Sequence, residues 1–122
     1  MRNDQNNDGP KYDLEERTYK FAKAVRAFVK LLPRTVGNIE DVKQVITSSD
    51  SICANYFDAN EALSKKDFKM RLKISRKEAK ETRYWLRLLD TGTESNVADE
   101  RGKLLQESNE LLKIFSAIIN KS

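Results

Sequence analysis

The sequence predicts an all-α protein, an antiparallel up-down-up-down bundle of four helices. Three observations lead there. The 122 residues suffice for one domain. Apolar residues recur at alternating three- and four-residue steps in four segments, the period of an amphipathic helix. Glycine and proline, four and two in number, fall almost entirely between those segments. Helices of ~19 to 25 residues joined by short links must run antiparallel to their chain neighbours, and at ~1.5 Å per residue their ends match.

Residues 1–11 are polar, rich in Asn and Asp and closed by Gly9-Pro10, and read as an N-terminal tail, with the bundle domain over 12–122. The first helix follows, with Asp13 and Glu16 in capping-box spacing and a stripe of Leu14, Thr18, Phe21, Val25, Phe28 and Leu32. Pro33 and Gly37 bracket the break after it. A second helix, about 39–63, is expected behind Asn38 as cap. Its stripe is Val42, Ile46, Ser49, Cys53, Tyr56, Asn60 and Leu63, widened by Ile39, Val45 and Ile52. Ser64 begins a third helix reaching about Leu89, with Asp67 in its first turn and Phe68, Leu72, Ser75, Ala79, Thr82, Leu86 and Leu89 toward the core. After a break around Gly92, the fourth runs from about Val97 to Ile119 and offers Leu104, Leu105, Leu111, Leu112, Phe115, Ile118 and Ile119.

Composition excludes a good deal of chemistry. Without histidine, and with Cys53 as the one cysteine, there is no Ser-His-Asp triad, no Cys-His pair and no His-ligated metal. A di-iron bundle needs Glu-x-x-His and cannot be built. No glycine spacing matches a phosphate loop. Cys53 falls on the core stripe, where a thiol behaves as a small hydrophobe. The chain is therefore expected to be no enzyme, with no metal, cofactor or small-molecule substrate. One cysteine forms no internal disulfide, no segment is apolar enough to cross a membrane, and the first ten residues lack an apolar stretch, so the expected location is the cytoplasm.

The third helix is the informative one. At about 100° per residue, Lys66, Lys69, Lys73, Arg76, Lys80, Arg83 and Arg87 line one flank of its core stripe. Lys65 to Arg87 holds ten basic and three acidic residues, a net of +7, so the rest of this +4 chain carries −3. A solvated flank usually mixes signs to form i,i+4 pairs. Seven like charges in a row call for a counter-charge, either a phosphate backbone or an acidic protein surface, and the residues alone leave both open. The acidic surface could be another protein or a neighbouring subunit's Glu107 and Glu110. Few aromatics accompany the row, Tyr84 being the nearest, so little base stacking and little sequence preference are expected. The opposite flank carries Met70, Ile74, Trp85 and Leu88, with Glu78 and Glu81 among them. Burying that face as well as the core takes a further partner, and self-association is the preferred reading. Asp58 is expected at the level of Arg71 across the second hairpin.

The segment from Ser51 through Asn55 and Asp58, the helix start Ser64-Lys65-Lys66-Asp67-Phe68, and Lys77-Glu78-Ala79-Lys80-Glu81-Thr82-Arg83-Tyr84-Trp85-Leu86 together resemble the four-helix proteins encoded by intervening sequences of bacterial 23S rRNA genes. The resemblance spans about residues 14–119. Asp58 stands where many relatives have Glu, and Glu78 where they have a small residue. The resemblance implies a homopentamer, often barrel-shaped, with no assigned activity. A related branch, the accessory proteins of diversity-generating retroelements, implies a basic surface that binds a reverse transcriptase and nucleic acid. On this reading the chain is a non-enzymatic homo-oligomer that binds an RNA or DNA backbone through the seven basic residues, with a protein–protein adaptor as the alternative.

Overall fold

The computed structural model describes the backbone of residues 9–122 and the side chains from Leu14 onward. Four helices follow one another: α1 (Gly9–Val29), α2 (Val36–Asn60), α3 (Lys65–Leu88) and α4 (Ser95–Lys121). Cross-helix bonds fix their directions. Arg26 meets Asp50 at 2.6 and 2.9 Å while Glu15 bonds Asn60, so α1 and α2 run oppositely. Thr82 with Ser48, Ser75 with Ile52 and Arg71 with Asp58 set α3 against α2. Arg76 with Ser116 and Arg83 with Asn109 set α4 against α3. Each helix touches its two chain or ring neighbours and the diagonals stay apart, which makes a four-cornered bundle.

Four helix boundaries depart from the sequence reading, the end of α1 among them, since it stops at Val29 and leaves Leu32 beyond the helix. α1 begins at Gly9, so Asp13 and Glu16 lie within the helix rather than at its start. Pro10 belongs to the first turn, where its missing N–H costs nothing. Of the expected tail, residues 1–8 lie outside the described residues and 9–11 are helical. α2 is capped by Thr35, whose hydroxyl accepts from the Asn38 N–H at 3.0 Å, not by Asn38. The Asn38 side chain is buried instead and ties the two loops at that end. It donates to the Pro33 and Asp90 carbonyls at 2.9 and 2.8 Å and accepts from the Asp90 N–H at 2.9 Å. α2 stops at Asn60, so Leu63 sits in the turn, fully exposed, rather than in the core stripe. The α3 start agrees with expectation, with Ser64 Oγ accepting from the Asp67 N–H at 3.0 Å.

Most of the expected stripe residues form the core, but Val42, Ile46, Phe68, Leu105, Leu112 and Ile118 only pack half-buried against it, and Ile39 is exposed. Val25, Val45, Ile52, Leu72, Leu86, Leu111 and Phe115 are wholly buried, and Tyr56 packs on Phe115 at 6.0 Å between ring centres. Between α2 and α3 the core is small and polar. Ser48, Ser75, Ala79 and Thr82 are buried there, so the helices approach closely and their hydroxyls must be satisfied. Ser75 donates to the Ile52 carbonyl at 3.0 Å, and Thr82 donates to Ser48 Oγ at 2.8 Å. The pair with fewest contacts, α1 and α4, is held by a bidentate Arg17–Glu107 pair at 2.7 and 2.8 Å.

Candidate nucleic-acid interface

Every residue of the basic row lies on the one uninterrupted helix α3, so its geometry follows from helical spacing. From Lys66 to Arg87 the row extends ~31 Å at 1.5 Å per residue. It has two depths. Lys66, Lys73, Lys80 and Arg87 stand exposed, seven residues apart, while Lys69, Arg76 and Arg83 alternate with them and are half-buried. Arg76 donates to Ser116 Oγ at 3.3 Å and Arg83 to Asn109 Oδ1 at 2.7 Å. These bonds from α4 hold two guanidinium groups in place and leave their charge uncompensated, because both acceptors are neutral. Among the described residues none of the seven forms an ion pair.

Between α3 and α4 the row opens into a groove of about 490 Å³ walled by Lys73, Arg76, Lys77, Lys80 and Arg83, with Leu112 and Ser116 also lining it. Lys77 joins this groove from outside the row read in the sequence. Its i,i+4 spacing from Lys73 was the available signal, and its Nζ lies 3.9 Å from Glu78 as well. Arg101, from α4, was also missed. It donates to the Leu89 carbonyl at 2.6 Å and so closes the α3 C-terminus just past Arg87.

Within the subunit, Glu107 and Glu110 both have partners outside the row. Glu107 holds Arg17, and Glu110 accepts from Gln106 at 3.1 Å. Asp58 meets Arg71 at 3.6 Å, as its position in the hairpin predicted. On the other flank, Met70 and Leu88 are 47% and 51% exposed, whereas Ile74 and Trp85 are half-buried and Trp85 packs against the core. The structure thus leaves Met70 and Leu88 open, half-buries Ile74 and packs Trp85 against the bundle's own core. Glu78 lies beside them, its carboxyl pushed upward by burial and then by Glu81, with Lys77 opposing. Cys53 is buried, and burial pushes its thiol up, away from a reactive thiolate. Among the described residues no group of three or more His, Cys, Asp or Glu could hold a metal, and no helix is long and apolar enough to cross a membrane.

The family described as 23S rRNA-intervening sequence protein matches residues 11–117. A crystal structure of a protein of unknown function from the S23 ribosomal protein family of Bacteroides thetaiotaomicron is 31% identical, with a TM-score of 0.72. The match covers 86% of this chain and 96% of that one. No curated protein matches the chain.

Proposed function

The chain belongs to the 23S rRNA-intervening sequence protein family, and from that premise we propose that it is a non-enzymatic, homo-oligomeric bundle that binds a nucleic-acid backbone along α3. The observation that carries the reading is the uncompensated row. Seven cations lie on one helix, and α4 meets two of them with Ser116 and Asn109 where carboxylates would neutralise them. A phosphate backbone supplies a matching line of charge, and binding releases the counterions it has condensed. Each subunit contributes one row, so an oligomer multiplies a modest site by effective concentration. Met70 and Leu88 give the exposed apolar surface for assembly, and family resemblance gives five as the expected number of subunits.

The test is binding of a labelled structured RNA across a salt series, beside a Lys73→Glu/Arg76→Glu variant, with solution mass measured for both. Seven phosphate contacts give a log–log slope of about −5 on a single strand and about −6 on a duplex. The variant is expected to lose affinity and keep its mass. No binding by the wild type near physiological salt refutes the proposal. A variant that loses its mass assigns the row to subunit contacts. Binding that survives nuclease treatment as one stoichiometric protein partner favours an adaptor.

A further inference from the structure

Tyr84 is the residue that neither the core nor the row explains. It is 54% exposed, one helical turn from Lys80 on one side and from Arg87 on the other. Its ring rests on Trp85 at 4.9 Å between centres, the planes 73° apart. Its hydroxyl takes no protein hydrogen bond among the described residues. A large aromatic held by a neighbour and left half open to water loses little side-chain freedom when a flat group settles on it. The edge-on contact with Trp85 holds the ring between the line of charge and the apolar flank that carries Trp85.

Resting on the backbone-binding reading above, we propose that the ligand of α3 is an unpaired strand, and that Tyr84 stacks one of its bases. Two physical arguments converge. The first is shape: the row is nearly straight for ~31 Å. A duplex strand winds once around its axis in about 34–36 Å, so it leaves a straight row after a fraction of a turn. An unpaired strand can follow the row and lay its phosphates in the groove between α3 and α4. The second is chemistry: bases within a duplex are already stacked, whereas an unpaired base has a free face for an aromatic platform. Every base has such a face, so one platform confers strand preference without sequence preference. Stacking and charge divide the work, the row setting affinity and its salt dependence, and Tyr84 setting the preference for unpaired nucleic acid.

The experiment compares a labelled oligouridylate with an RNA duplex of equal length by fluorescence anisotropy, using the full chain as wild type, Tyr84→Ala and Tyr84→Phe. Oligothymidylate is the arm that asks whether the 2′-hydroxyl matters. The wild type is expected to bind oligouridylate more tightly than the duplex. Tyr84→Ala should weaken the oligouridylate about tenfold, the lower part of the range for one base–aromatic stack. Duplex binding should stay within twofold, and Tyr84→Phe should keep the wild-type preference. A wild type that prefers the duplex, or a Tyr84→Ala variant that binds the single strand as well as wild type, overturns the inference while leaving backbone binding intact. Loss of oligomeric mass in Tyr84→Ala overturns it too, by assigning the ring to assembly. A wild type that binds no nucleic acid of any form removes both this inference and the function on which it rests.

Discussion

Replacing Asn38 by alanine should be among the most damaging single changes available outside the apolar core. The side chain is 3% exposed and makes three bonds that cross between loops, to the Pro33 carbonyl, the Asp90 carbonyl and the Asp90 N–H. Truncation leaves all three without a partner. Pro33 and Asp90 are themselves exposed, so water reaches part of what is freed, and each lost bond costs near the low end, about 1 kcal/mol. The sum is about 3 kcal/mol, or roughly 12 °C in Tm for a chain of this length. Asn38→Asp is the informative companion. It preserves volume and the oxygen that accepts from Asp90, but turns a carboxylate oxygen toward two carbonyls, so it should be at least as destabilising. Urea unfolding followed by circular dichroism measures both, with unchanged m-values confirming a comparable transition. A loss below about 1 kcal/mol in Asn38→Ala, or an aspartate variant as stable as wild type, would refute the view that this amide joins the two loops.

Two further outcomes test the charged helix. Glu78 has a folded pKa above its unfolded value, so its contribution to stability grows as pH falls through the folded pKa and levels off below the unfolded value, about 4.3. Glu78→Gln should accordingly be more stable than wild type at neutral pH, with the gap closing on acidification; a gap independent of pH would contradict this. Asn109→Asp should give Arg83 a charged partner, change stability by no more than about 1 kcal/mol, and weaken nucleic-acid binding with a salt slope shallower by about 0.7–0.9.

Where a local signal was unambiguous, the sequence sufficed. Ser64 followed by Asp67 marks the α3 start, and the backbone bond to Ser64 Oγ is the one that spacing implies. The α2 start defeated the same logic because Thr35 and Asn38 are both good caps, three residues apart. What decides between them is Asp90, 52 residues away, which engages the Asn38 amide and leaves the cap to Thr35. Gly9-Pro10 reads equally as a break or as a first turn, and the helix takes the second option. Leu63 has helical spacing but lies beyond the point where α2 ends. In the candidate interface the row itself was legible, since it depends on one helix. Its two depths were not, because whether Arg76 and Arg83 lean into α4 depends on the register between helices.

That register bears on what the row is for. Three other arginines meet acids across helix pairs: Arg17 with Glu107, Arg26 with Asp50 and Arg71 with Asp58. The same device would serve at Arg76 and Arg83, where an acid in place of Ser116 or Asn109 would stand opposite a guanidinium already in position. The chain places neutral acceptors there, which orient the arginines and leave their charge for something outside the subunit. Self-repulsion along seven like charges is a standing cost to the free protein, and a fold that needed only a stable α3–α4 seam would reduce it at these two sites. On the function proposed for α3, an external polyanion would account for both features together, the charge kept on α3 and the neutrality kept on α4.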